Sequence, residues 1–380
     1  MIALARKTLV HEWRRFLPAI LATGFSGLLL TVQAALVLGI FGSAAVYVRA
    51  SSADLWAGYP GTQSVNFGRA VDPDVEMRLR MDPAVAAVEP YLWVEGDWHN
   101  AQSSGGGVSV FVSGIDPRAG GLMFSRLLSR GLRQRLEEPS AVIVDRSELD
   151  QLGTDLDQWA WINGQRVHVI AAIAGLRGLG GVNVLASLET ARLLQGNDSA
   201  ANGGATYYVA KLRKPASVEA VRARLTGGTP AFGPFEVWSA REFAWRSQLY
   251  WMLDTGAGVA VLFMAAIVCL VGAVITSQSL MAMVAASARE YAVLNALGAS
   301  LQALSRVVLE QSCWIGGLGL LVGGLTSALL LSFAAHHDVP VAMNLPVALV
   351  CAAMVLSLAL FSGLVAMRGL LRADPALLLR

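Results

Sequence analysis

Few side chains in this 380-residue chain combine the type and spacing that chemistry requires. The histidines are His11, His99, His168, His336 and His337. Only His336 and His337 adjoin, with Asp338 next in line. Such a trio could offer a metal ligands, but adjacent histidines in a short loop lack the spread of a built site, so no metal is expected. Cys269, Cys313 and Cys351 lie in apolar runs without ligand spacing and read as small buried side chains. The stretch Gly175-Leu-Arg-Gly-Leu-Gly-Gly181 is rich enough in glycine for backbone N–H groups to approach an anion. It fits neither G-x-G-x-x-G nor GK[ST], and no Gly-Lys dipeptide occurs in the chain. It therefore reads as a mobile turn, and Ser104–Gly107 as a flexible loop tip. H-E-x-x-H and G-x-S-x-G are absent as well. Asp254 and Glu310 stand at the edges of long apolar stretches, where acids more often serve structure than ion passage. No catalytic residue is expected, and a membrane-bound enzyme has no supporting motif.

The elements that would carry these residues are largely apolar. Hydrophobic residues make up 55% and charged residues 15% of the chain, and the mean hydropathy is +0.53. A soluble domain carries about a quarter charged residues. The net charge of +2 is too mild for a nucleic-acid footprint, so no nucleic-acid partner is expected. Four stretches are nearly free of charge: Phe16–Val48, Thr255–Ala288, Val307–Ala335 (interrupted by Glu310) and Val339–Met367. A helix crosses a bilayer with about 20 apolar residues, so each stretch supplies one span and none supplies two.

Basic residues in short segments predict orientation. Arg6, Lys7, Arg14 and Arg15 precede span one, Arg289 and Arg306 separate spans two and three, and Arg368, Arg372 and Arg380 follow span four. The His336 loop has neither Lys nor Arg. Both termini are therefore expected in the cytoplasm, with the large inserted region outside. Trp13, Tyr47, Tyr250 and Trp251 would sit at the membrane interfaces. The first apolar run is too long for a signal peptide and reads as an uncleaved anchor.

Residues 49–250 switch to mixed composition with turn signals. Asp82-Pro83 reads as a helix start. Val108–Val112 and Ala141–Val144 read as strands, the second followed by a D-x-x-E capping box, Asp145–Glu148, that opens a helix closing near Gly153. Asn163-Gly164 between Ala160–Ile162 and Arg166–Ile173 predicts a hairpin with a type I′ turn. Ser187 would cap a helix to Leu194, Thr206–Leu212 a strand, and Ser217–Leu225 a helix. The expected fold is four transmembrane helices plus a mixed α/β extracytoplasmic domain between helices one and two. Its divisions are 1–48, 49–250 and 251–380.

The most informative segment is Ala286–Ser300, Ala-Ser-Ala-Arg-Glu-Tyr-Ala-Val-Leu-Asn-Ala-Leu-Gly-Ala-Ser. A short helix ending at Gly298 would put Tyr291, Leu294 and Leu297 on one face, with Arg289 and Glu290 in front. Its polar face has one arginine beside a glutamate, so docking into a partner protein is favoured over resting on lipid. Gly319-x-x-x-Gly323 and Ala35-x-x-x-Gly39 are small-residue pairs that permit close helix packing, within this chain or beyond it.

The Arg289–Ser300 stretch resembles the cytoplasmic R-E-x-x-x-L-x-A-L-G-A-S signature of FtsX/MacB-type ABC transporter permeases. The glycine-rich third span, the Asp374-Pro-Ala-Leu-Leu-Leu-Arg380 tail and the order of one span, a large outer domain and three spans are similar to that family too. The outer domain resembles the DevC-like branch, around Ala141–Leu152 and Asn163–Ile173. The resemblance implies a non-catalytic permease subunit in the inner (plasma) membrane. Two permease copies, identical or closely related, would work with two copies of a separate cytosolic ATPase, which binds ATP and Mg; this chain would hold no cofactor. Arg289, Glu290, Tyr291, Leu294, Leu297 and Gly298 would form the coupling helix. A periplasmic adaptor, an outer-membrane channel and membrane lipids become possible partners. The work would be mechanotransmission and export of a lipid-like or other hydrophobic substrate. An FtsX-like regulator of an extracytoplasmic cell-wall hydrolase is the alternative.

Overall fold

The computed structural model describes residues 13–100, 107–196, 203–214, 218–226, 233–286, 301–337 and 339–371. Two compact units divide the chain: Met1–Ile40 with Val259–Arg380, and Phe41–Gly258.

In chain order the elements begin with the long helix α1 (Trp13–Ser43) and the single turn α2 (Val46–Arg49). Strand β1 (Leu55–Gly58), helix α3 (Asp74–Arg80) and the strands β2 (Val85–Asn100) and β3 (Val108–Ile115) follow. Next come α4 (Arg130–Leu136), β4 (Ala141–Asp145), α5 (Leu149–Leu152), β5 (Trp159–Ile162) and β6 (Gln165–Ile173). Strand β7 (Val182–Ser187) leads into α6 (Leu188–Gln195), then β8 (Tyr207–Leu212) and α7 (Val218–Thr226). The domain closes with β9 (Glu236–Ser239) and α8 (Ala240–Leu249). The long helices α9 (Ala257–Ala286), α10 (Leu301–His336) and α11 (Leu345–Leu371) complete the chain.

The helices α1, α9, α10 and α11 each hold a stretch long and apolar enough to cross a bilayer: Phe16–Ser43, Gly258–Ser279, Leu309–His336 and Leu345–Leu364. With no water to pair backbone groups in lipid, helices satisfy them internally.

Among the described residues the mixed α/β domain is built on nine strands in the order β3-β7-β4-β6-β5-β2-β8-β1-β9. The long β2 changes partners along its length: Val85–Tyr91 pairs with β8, Leu92–Trp98 with β3, and Trp98–Asn100 with β5. Because β2 bonds to both β3 and β5, six strands close into a ring, and β8, β1 and β9 extend from β2. Side chains alternate between two cores, as the period of two requires. One core is aliphatic: Val142 and Val144 of β4, with Val182 and Val184 of β7, under α3, α6 and α7. The other is aromatic: Trp56, Tyr91, Trp93, Tyr207, Trp238 and Phe243, under α2, α4 and α8.

Local signals hold at several places. Asn163 and Gly164 both have positive φ, 51° and 76°, between the paired β5 and β6, the geometry of a type I′ turn. The Ser187 side chain accepts from Thr190 N at 3.2 Å and caps α6. Others differ. Asp82 opens no helix; α3 has already ended at Arg80, and the Asp82 carboxylate accepts from Ala84 N at 2.9 Å and pairs with Arg224 on α7. Residues 145–148 do not form a capping box either. Asp145 accepts from Ser147 N to start a 3₁₀ turn at Arg146–Glu148, and α5 is a single turn closed by Gly153 at φ 59°. Arg133, buried on α4, is held by three backbone carbonyls, Asp116, Gly121 and Met123.

Candidate functional site

The chain enters and leaves the α/β domain through one assembly. Entry runs from α2 into β1, and exit from β9 into α8. Strands β1 and β9 pair antiparallel from Leu55–Ser239 to Gly58–Glu236. Ala240 N donates to Asp54 O at 2.9 Å, and the Asp54 carboxylate takes Lys211 Nζ at 3.0 Å and Leu212 N at 2.9 Å. Beneath the ladder, Phe243 of α8 stacks on Trp238 at 4.8 Å and meets Trp56 of β1 at 5.5 Å.

Tyr47 of α2 lies at 0% exposure, edge-on to Trp93 at 4.8 Å and to Phe124 at 6.5 Å. It belongs to the domain core, not to the expected interfacial belt. Trp251, also expected there, donates to Ser64 Oγ at 3.2 Å and stacks on Phe67 at 6.1 Å; Tyr250 meets Phe67 at 5.2 Å. The reason is composition: the end of the first apolar run is continuous with an aromatic core, so its last residues find burial in protein.

Among the buried polar atoms without a hydrogen-bond partner among the described residues are Tyr47 Oη and Glu148 Oε2 beside this assembly, with Trp56 Nε1, Trp93 Nε1 and Ser247 Oγ. Burial, then the nearby Asp145 carboxylate, pushes the Glu148 carboxyl up to about 7, against the opposing pull of Arg177 and the Asn183 N–H. The Gly175–Gly181 loop closes over this region. Leu176 N and Arg177 N donate to Asp145 Oδ2 at 2.7 and 3.1 Å, and Asn183 Nδ2 donates to Leu176 O at 3.0 Å. The backbone N–H pair does hold an anion, but it is the protein's own carboxylate. The loop is anchored at its start rather than a free turn. Adding a Cβ at Gly178 would drive it into the Tyr47 hydroxyl.

In the helical unit, backbones meet along a seam of small residues. A Cβ at Gly323 would lie 2.5 Å from Gly24 O, and one at Gly319 2.8 Å from Thr23 Cβ, so α10 packs backbone-to-backbone on α1. Ala35 O accepts from Ala342 N at 3.0 Å, and Gly39 abuts Pro340. The sequence marks Gly319, Gly323, Ala35 and Gly39, but not Gly24, the α1 residue that meets Gly319 and Gly323, or Gly27, which faces Val355 of α11. The Gly24-x-x-Gly27 spacing is a signal that could have found them. Polar contacts add to the seam: Ser26 Oγ lies 3.4 Å from Gly272 O, and Ser277 Oγ donates to Ser362 Oγ at 2.9 Å. A cavity of about 450 Å³ opens among α1, α9 and α11, lined by Leu30, Val268, Gly272, Val355, Leu358 and Phe361 among others.

Arg289, Glu290, Tyr291, Leu294, Leu297 and Gly298 lie outside the described residues, as do Ser104 and Asp338. His336 ends α10, and the His337 ring lies 4.5 Å from Phe333. Among the described residues no group of His, Cys, Asp and Glu could hold a metal. Asp254 is exposed and Glu310 half-buried.

Comparison with known proteins follows this division. Residues 23–227 match the MacB-like periplasmic core domain, and residues 262–375 match the FtsX-like permease C-terminal region. Among solved structures, the periplasmic region of MacB from Actinobacillus actinomycetemcomitans is similar at 12% identity, over 51% of this chain and 92% of that one, with a TM-score of 0.34. The extracellular domain of the ABC-type transporter YknZ from Gram-positive bacteria is similar at 12% identity, over 49% and 100%, with a TM-score of 0.32. No curated protein matches the chain.

Proposed function

We propose, for a chain that belongs to the FtsX/MacB-type ABC permeases, that it transmits ATP-driven movement of its membrane helices into its outer domain. A separate cytosolic ATPase, present in two copies and holding ATP and Mg, drives a pair of permeases. Both termini are cytoplasmic, the α/β domain faces the periplasm, and the membrane is the inner one. The chain catalyses nothing itself. The substrate is lipid-like or otherwise hydrophobic, in keeping with spans whose midpoints carry no charge. A periplasmic adaptor and an outer-membrane channel would complete the export path.

The observation that carries this reading is the joined entry and exit of the domain. A flexible tether would absorb a displacement of either flanking segment. Here β1 and β9 share one ladder over one aromatic core, so a displacement reaches the whole sheet, because packed interiors deform little.

The test addresses the drive. Tyr291 and Leu294 should seat in a groove of the ATPase, where truncating a buried anchor often costs about 2 kcal/mol or more. Leu294→Asp should weaken co-purification of the ATPase and abolish stimulated export. Arg289→Ala should be milder. Undiminished ATPase binding and export in Leu294→Asp would refute the docking role. Labelling of cysteines placed at Ser104 and Arg380 should show opposite sidedness; equal sidedness would refute the orientation.

A further inference from the structure

The α/β domain carries a second feature where the chain joins its spans. Arg49 at the end of α2, Arg126 in the turn before α4, and Arg241 in the first turn of α8 line one cleft of about 440 Å³. Val48 and Ala244 are among its apolar walls, and Trp245 stands at it with 60% exposure. Among the described residues no acidic one lines the cleft. Among the described residues, none of the three arginines forms an ion pair. By contrast Arg80, Arg118, Arg222, Arg224 and Arg246 are all paired. The neighbouring carboxylates are committed elsewhere, Glu242 to Arg222 and Arg246, and Asp54 to Lys211.

Three guanidinium groups around one cleft repel one another until an anion arrives. Their planar forks match phosphate oxygens two at a time. Chain connectivity says where that phosphate would come from. The first span ends at Ser43, six residues before Arg49, and the second begins at Gly258, thirteen after Trp245. Arg49 folds back to the span end, its guanidinium 3.8 Å from where a Cβ on Gly42 would stand. The headgroup layer extends about 5–7 Å beyond the hydrocarbon. An exposed tryptophan is the side chain expected at that depth.

We propose that this cleft binds the phosphate headgroup of an anionic phospholipid. Arg49, Arg126 and Arg241 hold the phosphate, and Trp245 packs against the glycerol region. The headgroup would brace α2 and α8 together, which ties the lipid to the same assembly that joins entry and exit. The proposal holds for either orientation of the chain and does not depend on export or on an ATPase.

The experiment uses the full chain in nanodiscs of equal phosphatidylglycerol and phosphatidylcholine, with the retained lipids counted by native mass spectrometry. Wild type should retain phosphatidylglycerol preferentially. Arg126→Gln should cut that preference about fivefold, the worth of one basic residue near an anionic surface. Arg126 is the informative position, because only the fold brings it to the cleft. Arg126→Lys should keep part of the preference, and Arg192→Gln, an exposed arginine on α6, should keep all of it. Four results would overturn the proposal. One is no preference in wild type. Another is an equal loss in Arg192→Gln, which would make the effect one of net charge. A third is complete displacement of the lipid by millimolar inorganic phosphate, which would make the cleft a soluble-anion site. The last is a variant that shifts the chain's oligomeric state while lipid retention stays unchanged, which would assign the cleft to a second copy.

Discussion

Removing the hydroxyl of Tyr47 and removing its whole ring should have opposite consequences. The ring is fully buried and edge-on to Trp93 at 4.8 Å. An aromatic side chain in that position buries roughly 150–250 Å². Replacing a buried aromatic by alanine costs about 3–5 kcal/mol, the lost transfer energy plus the cavity left behind. For a domain of this size each kcal/mol moves the melting temperature by about 2–4 °C. Tyr47→Ala should therefore melt roughly 6–20 °C lower. The hydroxyl is a different matter. It has no partner among the described residues, and the Gly178 backbone crowds it. A buried hydroxyl without a bond is already a cost in the folded state. Tyr47→Phe should then be neutral or stabilising by up to about 1 kcal/mol. Thermal unfolding of the detergent-solubilised chain, followed by tryptophan fluorescence, reads both, since Trp93 is the ring's neighbour. A Tyr47→Phe variant destabilised by more than about 1 kcal/mol would refute the reasoning, because the hydroxyl would then have a bonding partner, Glu148 being the first candidate. If α2 transmits movement, Tyr47→Ala should also lower coupled transport while leaving ATPase binding intact.

Three further outcomes are expected. Because the folded state holds Glu148 protonated up to about pH 7 against an ordinary 4.5, the native form binds the extra proton between those values. Its contribution is full below about pH 4.5 and is lost as pH rises through about 7, by up to about 3 kcal/mol. Glu148→Gln should remove that slope, raising the melting temperature near pH 8 relative to wild type and leaving it little changed near pH 4; an unaltered slope would assign it to other groups. Gly323→Leu should force α10 off Gly24 and cost about 1–3 kcal/mol or more, whereas Gly324→Leu, where an added Cβ meets open space, should be silent; equal melting of the two variants would deny the seam. Ser187→Ala should lose about 1 kcal/mol by uncapping α6, and Ser187→Asp should retain it, as read by denaturant midpoints.

What the sequence determined by itself is whatever depends on neighbours along the chain or on the solvent. The four spans are legible because lipid leaves a long apolar segment no structure but a helix. Asn163-Gly164 and Ser187 are legible because their partners lie within three residues. The family is legible in Arg289–Ser300, although those residues lie outside the described structure. Tertiary structure decided the rest. Strands such as Ala141–Asp145 are buried on both faces, so the alternation that would have told one core from the other is absent from their sequence. Asp82 resembles a helix cap until Arg224, far along the chain, claims its carboxylate. Tyr47 reads as interfacial until Trp93 and Phe124 enclose it, and the cleft of Arg49, Arg126 and Arg241 has no sequence signature. Each of these depends on contacts between residues remote in sequence, which local propensity does not encode and which form only when the sheet brings its two cores together.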